Sequence, residues 1–234
     1  MNFIIRQERK SDYKLTEKVV ETAFASADQS DGNEHRLVSG IRQSKAFIPQ
    51  LSLVAVNKDD EVLGHILLSK VLINDGNHKI ESLALAPVSV LPDYQSKGIG
   101  KNLIQKVLEK AKKLGFQSVV VLGHPDYYPG FGFKKSSEWK IKAPFDVPEE
   151  AFMAIELQEG SLNNVSGVIE YPSFFLNKVF QYRVRLYRKE NNQGEKAFQT
   201  AQTIKNMFKK FLQYWGTNTG SIERSEWLTR QNCR

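Results

Sequence analysis

One stretch restricts what this chain can fold into more than any other. Residues 83–114 read LALAPVSVLPDYQSKGIGKNLIQKVLEKAKKL. Apolar Leu83, Leu85, Val88 and Val90 mark a strand, which runs into the loop Gln95-Ser96-Lys97-Gly98-Ile99-Gly100. Leu103, Ile104, Val107, Leu108, Ala111 and Leu114 then recur at helical spacing. A strand that feeds a helix through a glycine-bearing loop makes an anion site. The first helical turn presents free backbone N–H groups, and the helix dipole adds partial positive charge. Without side chains at Gly98 and Gly100, a pyrophosphate can approach the backbone closely.

Two common nucleotide loops are excluded. A dinucleotide fingerprint needs G-x-G-x-x-G, and Leu103 stands where the third glycine would be. A Walker loop needs G-x-x-x-x-G-K-[ST], and Gln95 and Asn102 fail its first and last positions. The motif that does fit is Q-x-x-G-x-G.

The rest of the chain supplies a sheet around this unit. Residues 3–6 form a short first strand; Ser11 is placed as the N-cap of a helix carrying Tyr13, Val19, Val20, Ala23 and Phe24. A polar loop over residues 25–33 leads to a second helix with Glu34, His35, Arg36, Leu37, Val38 and Ile41. Strands are expected over residues 51–56, 62–73 and 80–90, joined by turns at 57–61 and at Asn74-Asp75-Gly76-Asn77. Gly115 is placed as the C-cap after the ligand-loop helix. The continuous apolar run Val119-Val120-Val121-Leu122 suits a strand buried on both faces. Strand, crossover helix and parallel strand then make one right-handed unit. Two closing strands are expected over residues 151–157 and 165–170. The fold class is α+β: a mixed, mostly antiparallel sheet flanked by helices, with a basic helical tail at the C-terminus.

This pattern resembles the GNAT family of N-acetyltransferases over about residues 2–172. It is most similar to a bacterial branch of small, mostly uncharacterised cytoplasmic members. That branch carries L-A-P-[LV]-x-V-x-P-x-[YH]-Q-x-x-G-I-G before the helix and G-x-P-x-Y-Y-x-x-F-G-F after the next strand. Here both occur in order, the second as Gly123-His124-Pro125-Asp126-Tyr127-Tyr128-Pro129-Gly130-Phe131-Gly132-Phe133. The resemblance implies an acyl-CoA N-acyltransferase-like fold and acetyl-CoA as co-substrate. It implies cofactor contacts at Val88, Ser89 and Val90, where pantetheine pairs with a splayed strand, and at Gln95, Ser96, Lys97, Gly98, Ile99, Gly100 and Lys101, which hold the pyrophosphate. Tyr128, four residues before Gly132, matches the family's tyrosine that hydrogen-bonds the coenzyme sulfur. Tyr127 is assigned to packing. Two departures stand out: Gly130 replaces a basic residue usual in the branch, and no asparagine follows the apolar strand.

A phenol, protonated at neutral pH, can donate to a thiolate whose conjugate acid lies near about 8.5. A lysine-like amine, mostly protonated at pH 7, needs a route for its proton. Glu81 on the central strand is the catalytic candidate for that role, with Glu34, His124, Asp126 and a water chain as alternatives. Glu34, beside Asp28 and Asp31, is also the candidate contact for a cationic acceptor. His65 and His78 are expected at the surface, and no His/Asp/Glu spacing resembles a metal site. The reading is direct transfer from acetyl-CoA to a primary amine in a ternary complex. The alternative is a CoA-binding or partner-binding module with little turnover, with recognition through the basic C-terminal tail.

Composition separates the tail from this domain. Residues 1–175 carry 21 Lys+Arg against 22 Asp+Glu, whereas residues 176–234 carry 12 against 4. The net charge of +7 therefore belongs to residues 173–234, taken as a separate tail. Ala197, Ala201, Ile204, Phe208, Phe211 and Trp215 mark an amphipathic helix over about residues 195–215. It suits docking on the domain, a homodimer contact, or a nucleic acid or anionic membrane surface. The one cysteine, Cys233, excludes an internal disulfide and a cysteine-built zinc site. With no apolar run long enough to span a bilayer and no signal-peptide layout, the expected compartment is the cytoplasm.

Overall fold

The computed structural model describes residues 2–25 and 32–172. Asp28, Asp31, Cys233 and the expected helix over about 195–215 lie outside the described residues. In chain order the elements are β1 (Ile4–Gln7), α1 (Tyr13–Phe24), α2 (Glu34–Arg42), β2 (Phe47–Val56), β3 (Val62–Asn74), β4 (Lys79–Leu85) and β5 (Ser89–Val90). They continue as α3 (Ile99–Lys113), β6 (Ser118–Leu122), β7 (Lys134–Lys135), β8 (Ile141–Lys142), β9 (Phe152–Glu156) and β10 (Gly167–Glu170), with short 3-10 turns between. The fold is α+β, with one mixed, mostly antiparallel sheet flanked by helices.

Strands β1-β2-β3-β4-β6-β9-β7 lie side by side, and β10 bridges β3 and β8. Within that path every pairing is antiparallel except β4 with β6, where Leu83 faces Val119 and Ala84 faces Val120. This parallel pair is the product of the crossover through α3.

Helix α3 covers one sheet face because its apolar residues fall on one stripe. Ile99, Leu103, Ile104, Val107, Leu108 and Ala111 are buried against Leu53, Ile66, Leu68, Leu83, Val119 and Val121. Leu114, expected in that stripe, is exposed, since it caps the helix end rather than continuing it. Gly115 lies one residue past that cap, with φ +87. On the opposite face, Val20, Leu37, Val38 and Ile41 of α1 and α2 pack on Leu67 and Ala86.

Three local expectations change. Ser11 does not cap α1; it sits in a 3-10 turn over Lys10–Asp12, and the helix begins at Tyr13. The Asp12 carboxylate instead accepts the Arg9 N–H (2.7 Å) and pairs with Arg6. The strand expected over residues 80–90 is broken into β4 and β5, with Pro87 in the gap. Proline has no N–H to give to a ladder, so the break falls there. His65, expected at the surface, is fully buried on the α1/α2 face of β3.

That burial is part of a polar chain. Arg42 of α2 pairs with Glu8 and with Glu17 (2.8 Å) and stacks over the Tyr13 ring at 4.2 Å. Ser52 Oγ donates to Glu8 Oε2 (2.6 Å) and lies 3.1 Å from His65 Nε2. Because the serine proton goes to the carboxylate, His65 must donate from Nε2, which leaves Nδ1 bare; that atom is buried without a hydrogen bond. The chain ties α1 and α2 to β2 and β3.

Candidate active site

The break between β4 and β5 opens the sheet. Both strands follow the same edge of β3: Leu85 faces Leu68, and Val90 and Ser89 face Gly64 and His65. On the other side β4 stays with β6 for only two residue pairs, after which β6 continues along β9 at Val121 and Leu122. The sheet therefore splits between β5 and β6, at the C-terminal ends of the parallel strands.

Backbone polarity in the split follows from strand alternation. The Leu91 N–H donates to Leu63 O (2.9 Å), so Leu91 faces β3. Val90 then faces outward, and Gln95 Nε2 donates to its carbonyl from outside the sheet (3.1 Å). Val88 precedes the strand, in the gap where the register against β3 slips by one residue. Ser89 faces β3, and its hydroxyl donates to His65 O (3.4 Å). Val90 thus turns its backbone toward the split, whereas Ser89 is buried.

Close packing at Gly64 holds this strand in place. A Cβ there would lie 2.8 Å from Ser89 O and 3.2 Å from Ile99 Cγ2, so only glycine lets β5 and α3 approach β3 this far. The loop then turns into α3 through Gly98, which takes φ +83 at the N-cap. L-residues avoid that region, so glycine is the residue that fits. Asn102 closes the first turn, its N–H and Nδ2 both donating to Gly98 O (3.0 and 2.9 Å). Lys97 Nζ donates to Asp93 O (2.7 Å), and Ser96 and Lys101 flank the turn.

Across the split lies the aromatic turn after β6. Tyr128 begins a 3-10 turn and is buried, its ring edge-on to Phe133 at 5.6 Å. A Cβ at Gly123 would overlap the Tyr128 ring, so that glycine admits it. Burial, reinforced by Tyr127, pushes the Tyr128 phenol above its ordinary range. It is therefore a donor throughout the neutral range.

The Tyr127 ring packs edge-on against Tyr128 and Phe131, but its hydroxyl is placed elsewhere. The residue is 42% exposed, and its hydroxyl lies 3.3 Å from where a Cβ on Gly100 would stand. The two adjacent tyrosines thus point to different places, which spacing could not reveal.

The structure does not bring the other candidates together. Glu81 is on β4 opposite Leu72, three residues before Ala84, and its half-exposed carboxylate pairs with Lys70 Nζ (2.9 Å). It is a surface ion pair away from the split, and its catalytic assignment loses its geometric basis. Glu34 opens α2 and is buried. His124 and Asp126 are exposed neighbours, 3.7 Å apart. Among the described residues no group of three or more His, Cys, Asp or Glu could hold a metal ion, and no helix is long and apolar enough to cross a membrane.

Comparison with known proteins gives this geometry a family. Residues 17–129 match the Acetyltransferase (GNAT) family. The uncharacterised N-acetyltransferase YjhQ of Escherichia coli K12 is 34% identical over 142 residues, 60% of this chain and 75% of that protein. YhbS from the same organism, also uncharacterised, is 29% identical over 142 residues, 61% of this chain and 83% of that protein. The crystal structure of YhbS in complex with CoA matches with a TM-score of 0.68 at 26% identity, over 75% of this chain and 93% of that one. A GNAT family acetyltransferase from Brucella melitensis, in complex with acetyl-CoA, matches with a TM-score of 0.61 at 34% identity, over 74% of this chain and 98% of that one. With a split sheet opening on the α3 loop, and with relatives of this similarity aligned over most of their length, the chain belongs to the GNAT family of acetyltransferases.

Proposed function

We propose that this protein transfers the acetyl group of acetyl-CoA to a primary amine by direct attack in a ternary complex. The observation that carries the reading is the split between β5 and β6, with Val90 facing into it just ahead of the α3 N-terminus. Val88 and Val90 pair with the pantetheine arm as an added strand. The N–H groups of the loop from Ser96 to Lys101 hold the pyrophosphate, the Gln95 N–H being donated to Pro92 O at 3.2 Å, and bare Gly98 and Gly100 leave room for it. A backbone N–H of the split strand polarises the thioester carbonyl. The amine nitrogen bonds to the acetyl carbon, the carbon–sulfur bond breaks, and the amine's proton passes to solvent. The thiolate leaves as Tyr128 donates a hydrogen bond to it. The raised phenol makes complete proton transfer to sulfur less favourable than this donation.

The YhbS and Brucella melitensis structures support the choice of cofactor, since they hold CoA and acetyl-CoA. Calorimetric titration with acetyl-CoA tests it. The expected result is micromolar binding by the wild type and none by a folded Gly98→Val/Gly100→Val variant. A folded wild type that binds no acetyl-CoA would overturn the assignment. Tyr128→Phe should then lower kcat by about 100-fold, the usual scale for one lost donor to developing charge, with KM little changed. Thiol release across an amine panel reads this, and an unchanged kcat would remove Tyr128 from the chemistry.

A further inference from the structure

Tyr127 is a polar side chain of this region that the mechanism leaves unused. Its ring is held on two sides, edge-on to Tyr128 (5.3 Å, 80°) and to Phe131 (5.3 Å, 71°). Its backbone N–H is tied to His124 O at 3.1 Å. The ring is therefore not a loose surface aromatic, although it is substantially exposed.

The hydroxyl projects across the mouth of the split onto α3. The space a Gly100 side chain would fill has the Tyr127 hydroxyl at 3.3 Å and Val90 Cγ2 at 3.8 Å. Three elements meet at that point: the turn after β6, strand β5 and the first turn of α3. In a helix the Cα–Cβ direction tilts toward the N-terminus, so this space lies on the side of the free N–H groups. The Tyr127 hydroxyl makes no hydrogen bond to any described residue. A fixed ring thus carries an unused O–H donor to the rim of an anion site.

We propose that Tyr127 is a cofactor-binding residue whose hydroxyl donates to the pyrophosphate of coenzyme A above the first turn of α3. The proposal rests on the cofactor assignment above and adds to it a donor from the opposite wall of the split. Tyr127 and Tyr128 then divide the work along the cofactor, one at the phosphates and one at the sulfur. Gly100 acquires a second requirement, since a side chain there would press on this hydroxyl as well as on the phosphates. A phenol also supplies a neutral donor where exposed Gly130, on the same turn, offers no side chain.

The test is Tyr127→Phe, which keeps the ring and its two edge contacts. Wild type and variant are titrated with coenzyme A and with pantetheine, which carries the thiol arm but no pyrophosphate. A hydrogen bond to a charged acceptor should make coenzyme A binding weaker by roughly 10- to 100-fold in the variant, with pantetheine binding unchanged and the melting temperature within about 2 °C, the shift of a small stability change. Unchanged coenzyme A affinity in the variant overturns the proposal, and so does an equal loss for both ligands. Failure of the wild type itself to bind coenzyme A is a different result, because it removes the cofactor assignment on which the proposal stands.

Discussion

Arg42→Ala is expected to destabilise the fold by about 3–5 kcal/mol, the usual cost of leaving one partner of a buried ion pair behind. The Glu8 carboxylate is fully buried, and Arg42 is its cationic partner among the described residues. Removing the guanidinium also frees Glu17 and deletes the stack on Tyr13. For a chain of this length the melting temperature should fall by roughly 10 °C. Lys113→Ala, at an exposed pair with Glu109 that solvent screens, should cost far less. Urea unfolding of both variants provides the comparison. Equal, small losses would mean that the buried pair is no more than a surface bridge energetically.

Acid should weaken the fold through His65. Burial, then the nearby Arg42 charge, holds the imidazole down to about 3, against an ordinary value of 6.5. Glu8 Oε2 is 3.8 Å from the ring, but its charge is already engaged by Arg42, so burial prevails. The folded state therefore keeps His65 neutral while the unfolded state binds a proton below about 6.5. Stability from this residue is fully present above pH 6.5 and is lost as pH falls toward about 3. At about 1.4 kcal/mol per pH unit the loss reaches roughly 5 kcal/mol as a ceiling. His65→Gln keeps a side-chain N–H for Ser52 and cannot titrate. Its unfolding free energy should change less between pH 7 and pH 4 than that of the wild type. Parallel pH profiles would show that His65 protonation is not linked to folding.

This polar network was hidden from sequence for two reasons. His65 sits in Leu63-Gly64-His65-Ile66-Leu67, inside an apolar run, and position alone does not distinguish a surface histidine from a buried one. Its partners come from Glu8, Ser52 and Arg42, which lie 13 to 57 residues away in the chain. No periodicity joins groups that far apart. The same limit applies to Glu81: a carboxylate on a central strand looked available, until Lys70 from the neighbouring strand was placed beside it.

The glycine loop, by contrast, was legible because its constraints are local. Gly98 must take a positive φ to enter the helix, and the apolar spacing of Leu103, Ile104, Val107 and Leu108 fixes which face α3 buries. Short-range backbone geometry and side-chain periodicity are written in adjacent residues, so strand, loop, helix and parallel strand could be read in order. Tertiary structure decided what depends on neighbours distant in the chain. It set where β4 gives way to β5, turned Val90 outward and Ser89 inward, buried the imidazole of His65, and placed the ring of Tyr128 against Gly123 but the hydroxyl of adjacent Tyr127 beside Gly100. A side chain's burial and bonding partners are fixed when distant strands pair and helices pack on them.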